Sequence, residues 1–237
     1  MDAFLVILAL CMVISFALCG VPFGLIISKR VGGVDVREHG SGNIGMTNVA
    51  RTVGAEAAAL TFACDVGKGV VSMLLARFLL GRVLPDGATL EVTSPYFAAL
   101  TIVYACCVAG HVFSPYLGFH GGKGISVGFG AALGLHWPAA LVLLGVFLLL
   151  AVPTRYISLG SIMAAFSLPI QCFFLWHMSP WALVPIIVVS LAVIWAHRSN
   201  IVKLLHGDER RFTISPDASL RSRRRKVPPT ARRNDEE

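Results

Sequence analysis

Gly128-Phe129-Gly130-Ala131-Ala132-Leu133-Gly134-Leu135-His136-Trp137-Pro138 decides how this chain is threaded. The stretch lies inside an apolar run, 125–152, of about 28 residues. At 1.5 Å per residue that is long for one bilayer crossing and short for two. Glycines, Pro138 and the interfacial Trp137 mark a helix break near 134–138. The run reads as a short helix, a break, and a longer helix to about residue 152.

Outward from it, further apolar segments fall at about 3–27, 55–80, 94–113, 159–177 and 181–197. The composition is 56% hydrophobic and 14% charged, with a mean hydropathy of +0.74. Soluble domains carry roughly 25% charged residues, so this is an integral membrane protein. The reading is an all-α polytopic membrane protein with about seven transmembrane helices, some short or broken. The first run follows Asp2 rather than a basic region and shows no A-x-A site, so it is expected to be retained as a helix.

Positive charge sets the orientation. Lys29, Arg30, Arg37 and Arg51 lie in the 28–54 loop, Lys123 in 114–124, and Arg155 in 153–158. Arg and Lys also crowd the chain beyond Ala196. The connection at 81–93 balances Arg82 against Asp86 and Glu91, and suits the opposite face. This places the N-terminus outside, the C-terminus in the cytoplasm, and the basic loops on the cytoplasmic face. Two domains are expected: a membrane-embedded unit, 1–212, and a basic, disordered cytoplasmic tail, 213–237. The Arg221–Lys226 run could meet anionic lipid headgroups or stay solvated; no motif suggests nucleic acid.

All six cysteines lie in apolar segments without metal-ligand spacing, and read as buried apolar residues. Asp65 and Lys68 are three residues apart inside an apolar segment, so they pair or face a polar cavity.

Four polar stretches carry the chemistry. Ser41-Gly42-Asn43-Ile44-Gly45-Met46-Thr47-Asn48-Val49-Ala50-Arg51 combines backbone donors, hydroxyls, amides and one arginine, a set suited to an anion. A helix-capping polar loop would look the same. Gly121-Gly122-Lys123-Gly124 lets backbone amides approach a ligand beside an ammonium, at the start of a helix. Its glycine spacing is not that of a nucleotide-binding P-loop. Ser158 and Ser161 share one face of a helix start, which helix capping alone would also explain. His197 and Asn200 share one face at the end of the last apolar segment. With almost no carboxylate among them, these groups suit a doubly anionic substrate pair rather than a metal.

Four segments together resemble the motifs of the PlsY family, the bacterial acyl-phosphate:glycerol-3-phosphate acyltransferases: 41–51, 110–124, 154–161 and 197–209. Asp65-Val66-Gly67-Lys68-Gly69 is similar to the family's D-x-x-K-G element. The resemblance covers about residues 3–212. It implies transfer of a fatty acyl group from acyl phosphate to the 1-hydroxyl of sn-glycerol 3-phosphate, giving lysophosphatidic acid and phosphate. It also implies a bacterial inner-membrane location with the active site at the cytoplasmic face, and functional coupling to a phosphate:acyl-carrier-protein acyltransferase. The other expected partners are membrane lipids and no nucleic acid, with a monomer as the working expectation. No cofactor or metal is expected.

From these segments, His197, Asn200, Lys123 and Ser161 are the expected catalytic residues. Ser41, Asn43, Gly45, Thr47, Asn48, Arg51, Gly121, Gly122, Gly124 and Ser158 are expected to bind substrate. Arg51 with Ser41, Asn43 and Lys123 is assigned to glycerol phosphate. The Gly121–Gly124 backbone, Ser161 and Asn200 are assigned to the donor phosphate. His197 is the motif residue suited to general-base work, although a substrate phosphate could take the proton instead. An anion transporter would use similar Gly-rich helix ends, but the polar clusters share one face and no inverted repeat is visible.

Overall fold

A computed structural model describes residues 2–212, whose regular structure is all helical, with longer connections at 33–45 and 82–96. The elements are α1 (Asp2–Gly20), α2 (Phe23–Gly32), α3 (Met46–Thr52), α4 (Ala55–Gly81), α5 (Phe97–Val112), α6 (Ile125–Thr154), α7 (Ile157–Phe174), α8 (Pro180–Ala196) and α9 (Arg198–His206). The basic tail 213–237 lies outside the described residues.

Large apolar side chains point away from the protein along most helices, including Leu5, Val13, Leu149 and Trp181. Such an outward apolar surface is stable facing lipid and not facing water. Inside, helices approach through small residues, as lipid offers no hydrophobic drive to bring them together. A Cβ on Gly69 of α4 would strike the α6 backbone, and one on Gly130 of α6 would strike the α4 backbone at Val66. α5 meets α1 in the same manner where Gly110 lies on Phe16.

Among the described residues, five helical segments are long and apolar enough to cross a membrane, or six if the bent pair α8–α9 counts as one span. The expectation of about seven counted the two arms of the 125–152 segment separately. The expected break is there: His136 has non-helical torsions (φ −159°, ψ 94°) inside α6. The first arm, 125–135, rises about 16 Å, too little to cross a ~30 Å hydrocarbon core alone. Arg77 donates to the Leu135 carbonyl at 2.7 Å, satisfying a group that the break exposes.

A second break separates α1 from α2, inside the first apolar run. Pro22 has no N–H to continue the ladder and sits at φ −87°, ψ 70°. The carbonyls near the end of α1 find side-chain donors instead. Ser114 Oγ donates to Gly20 at 2.7 Å and Lys68 Nζ donates to Val21 at 2.8 Å. The break thus ties α1 to α4 and to the chain after α5.

Candidate active site

A cavity of about 420 Å³ gathers residues from all four polar stretches. Arg51, Lys123, Ser158, His197, Asn200 and Glu209 line its polar end. Tyr104, Phe129, Leu143, Phe147, Ala165 and Leu168 line the part that runs between helices. One continuous space therefore offers cationic and hydrogen-bonding groups at one end and an apolar trench at the other.

The first stretch enters this cavity as a loop followed by α3. Its organiser is Asn48, which is buried. Asn48 Oδ1 accepts from the Ser41 N–H at 2.9 Å, and Asn48 Nδ2 donates to the Val36, His39 and Asn43 backbone carbonyls. Asn48, expected to bind substrate, lines the cavity and uses its side-chain amide to hold the loop. The Gly45 N–H likewise goes to Asn43 Oδ1 at 2.8 Å, while Gly45 is the N-cap of α3. Ser41, Asn43, Gly45 and Thr47 all line the cavity. Arg51, on the last turn of α3, also lines it, and its Nη2 donates to the Arg210 carbonyl at 3.5 Å. Burial lowers the Arg51 pKa, the neighbouring Arg210 lowers it further, and Glu209 opposes both.

The second stretch divides. The N–H groups of Gly121 and Gly122 donate to the Val112 and His111 carbonyls at 2.9 and 3.0 Å. Neither glycine, both expected to bind substrate, lines the cavity, and both amides are engaged by these backbone bonds. They close the end of α5, in space where a side chain cannot go. A Cβ on Gly122 would collide with the His111 ring, and one on Gly121 with the His111 carbonyl. Lys123 and Gly124 do reach the cavity. Gly124 adopts φ +83°, a torsion that favours glycine, and starts α6. Lys123 Nζ donates to Asn200 Oδ1. Its pKa is pushed down to about 8, chiefly by burial. Glu209 opposes that shift, and Lys203 and Arg51 add to it.

The third and fourth stretches meet through a residue absent from the expected set. Glu209 Oε1 accepts from Ser158 Oγ and from Asn200 Nδ2, each at 2.7 Å. The helix α9 ends at Gly207 in the left-handed region, which turns the chain back across the cavity mouth. Phe212 N–H then donates to the Arg155 carbonyl at 2.7 Å. The sequence signal for Glu209 was its place as the last residue of the fourth stretch. Its partner Ser158 is too distant in sequence for spacing to reveal. Ser161 lines the cavity while its hydroxyl donates to the Ile157 carbonyl at 2.8 Å.

His197 is buried at the junction of α8 and α9, with Nδ1 2.8 Å from the Val193 carbonyl. A carbonyl oxygen can only accept, so Nδ1 carries the proton and Nε2 of the neutral ring carries the lone pair. Asp65, expected either to pair or to face a cavity, does both. It lies 2.7 Å from Lys68 Nζ and lines the cavity.

The family model for glycerol-3-phosphate acyltransferase matches residues 9–207. The chain is 40% identical to a glycerol-3-phosphate acyltransferase of Thermosynechococcus vestitus, over 89% of this chain and 97% of that one. It is 38% identical to one of Clostridioides difficile, over 84% and 93% of the respective chains. Its structure is similar to crystal structures of PlsY, an integral membrane glycerol 3-phosphate acyltransferase, in two forms. The glycerol 3-phosphate form matches with a TM-score of 0.76 at 32% identity, covering 87% of this chain and 96% of that one. The lysophosphatidic acid form matches with a TM-score of 0.74. With motifs, fold and relatives in agreement over nearly all the described residues, this chain belongs to the glycerol-3-phosphate acyltransferase family.

Proposed function

We propose that this protein transfers a fatty acyl group from acyl phosphate to the 1-hydroxyl of sn-glycerol 3-phosphate, at the cytoplasmic face of a bacterial membrane. The observation that carries this reading is the shape and charge of the cavity that gathers the polar stretches. Lys123, Arg51 and Arg210 stand at its mouth against Glu209, and an apolar trench continues between α5, α6, α7 and α8. A substrate with an anionic head and a long alkyl tail complements both ends.

Acyl phosphate is already activated, so the protein's task is alignment and charge neutralisation. Arg51, with Ser41, Asn43 and Lys123, holds the glycerol phosphate. Ser161 and Asn200 face the donor phosphate. Glu209 binds no anion; it fixes Asn200 and Ser158 and tempers the cationic charge. The glycerol oxygen attacks the acyl carbonyl carbon, the bond from that carbon to the phosphate oxygen breaks, and inorganic phosphate leaves. The hydroxyl proton goes to the lone pair of His197 Nε2 or directly to the departing phosphate, and ends on the released hydrogen phosphate. The basic loops at 28–54, 114–124 and 153–158 flank the cavity mouth, which supports a cytoplasmic orientation for it.

The donor is tested with detergent-purified protein, labelled glycerol 3-phosphate, and palmitoyl phosphate or palmitoyl-CoA in parallel. Lysophosphatidic acid is expected from palmitoyl phosphate alone. Product from palmitoyl-CoA and none from palmitoyl phosphate would overturn the donor assignment.

A further inference from the structure

Asp65 and His111 line the cavity and, with Lys68 behind them, form a buried polar cluster to which the mechanism above gives no task. Lys68 Nζ lies 2.7 Å from Asp65 Oδ1, 2.8 Å from the Val21 carbonyl oxygen and 3.1 Å from His111 Nδ1. Asp65, Lys68 and His111 are 1%, 4% and 4% exposed. The contact with Asp65 is close but off the hydrogen-bonding axis, a charge contact rather than a directed bond. Bringing three such groups into a helix bundle is costly, and intramembrane ionisable groups mark functional sites by default.

The cluster has a definite chemical output. An ammonium has no lone pair, so His111 Nδ1 must be the acceptor of the Lys68 contact. A second proton on His111 would place Nδ1–H against that ammonium. The ring is therefore neutral with its proton on Nε2. His111 lines the cavity, and its Nε2 makes no hydrogen bond to the described residues. Its level in the cavity is set by α5. Val108 and Tyr104, one and two turns back on the same helix, line the apolar trench. Beyond His111, the chain leads to Lys123 at the polar end. A carbonyl joined to a phosphate on one side and an alkyl chain on the other belongs at this boundary.

We infer that His111 is a further catalytic residue, whose Nε2–H donates to the acyl carbonyl oxygen as negative charge develops there. Lys68 and Asp65 are positioning residues that fix the His111 tautomer. As glycerol oxygen adds to the carbonyl carbon, the carbonyl electron pair moves to oxygen and the Nε2–H bond to it strengthens. When the pair returns, phosphate leaves and His111 keeps its proton. This assignment rests on the acyl transfer proposed above.

Side-chain amides separate the two ring nitrogens. His111→Gln can place an N–H near the Nε2 position, whereas His111→Asn keeps an acceptor for Lys68 near Nδ1 and lacks the outer donor. In steady-state assays with palmitoyl phosphate, His111→Asn is expected to lower kcat roughly 100- to 1,000-fold, as loss of one oxyanion donor does. KM for glycerol 3-phosphate should change less than about threefold, the mark of an interaction made only in the transition state. His111→Gln should recover at least about tenfold of the lost kcat. His111→Asn with kcat within threefold of the parent would overturn the inference. So would equal losses in both variants accompanied by a common fall in thermal stability, which would make His111 structural. If the parent protein itself makes no lysophosphatidic acid, acyl transfer fails as the activity; activity in the parent and in His111→Asn sinks only this assignment.

Discussion

Ser158 donates its hydroxyl to Glu209 Oε1 at 2.7 Å, joining the first turn of α7 to the chain that follows α9. Asn200 donates to the same oxygen, so one carboxylate aligns two walls of the cavity. Glu209→Ala removes the oxygen that accepts both bonds, and hydrogen bonds to a charged group contribute about 1.5–3 kcal/mol. We expect kcat/KM to fall roughly 10- to 100-fold. Glu209→Gln retains an acceptor oxygen and should lose less. Equal losses in the two variants, measured by initial rates, would argue against this alignment.

Arg51 reaches the cavity from α3, held there by the Asn48-braced loop. Arg51→Ala should raise KM for glycerol 3-phosphate by about two orders of magnitude, since a guanidinium clamps phosphate through paired charge-assisted bonds. Arg51→Lys should recover part of that loss. An unchanged KM would remove Arg51 from the glycerol phosphate subsite.

Lys123 sets a pH limit. With its pKa pushed down to about 8, it is a cation below that pH and neutral above it. The rate should therefore fall as pH rises through about 8, and Lys123→Arg should carry the plateau to higher pH. The stability effect has the opposite sense. Between about 8 and the unperturbed value of 10.5 the unfolded chain binds the proton and the folded chain does not, so Lys123 adds stability as pH rises. Thermal unfolding of the parent against Lys123→Met from pH 7 to 10 checks the sign. A gap that moves against the parent with rising pH would contradict it.

Gly122 has no room for a side chain. Its amide bonds the His111 carbonyl, and a Cβ would run into the His111 ring. Gly122→Ala should reduce kcat by at least about tenfold, the scale of ~1.4 kcal/mol of lost alignment. The thermal midpoint should fall as well. Full activity in this variant would show that the wall at His111 is pliable.

Much of the fold was legible because lipid imposes simple rules on sequence. Apolar length located the helices, and Gly134, Trp137 and Pro138 located the His136 break. The break at Val21-Pro22 went unread because the surrounding run is apolar on both sides. Its stabilising partners, Lys68 and Ser114, come from other helices. In the site, Arg51, Lys123, Ser158, Ser161, His197 and Asn200 were each legible as polar residues at helix ends, and the cavity gathers them. That Gly121 and Gly122 close the end of α5 was not legible, because a glycine pair that closes a helix end looks the same as one that cradles an anion. Asn48 lines the cavity as expected, while its bracing of the loop could not be read because its partners Val36, His39 and Asn43 are set by the folded loop. Glu209 was passed over because its role exists only after α9 turns the chain back to Ser158.

The central claim is that one cavity brings acyl phosphate and glycerol 3-phosphate together for direct transfer. Its most direct measurement is the simultaneous count of lysophosphatidic acid and inorganic phosphate made by purified protein from palmitoyl phosphate and glycerol 3-phosphate. The expected result is one phosphate per lysophosphatidic acid, with both products falling together in Arg51→Ala. Phosphate release without lysophosphatidic acid, or lysophosphatidic acid formation unaffected by Arg51→Ala, would contradict it.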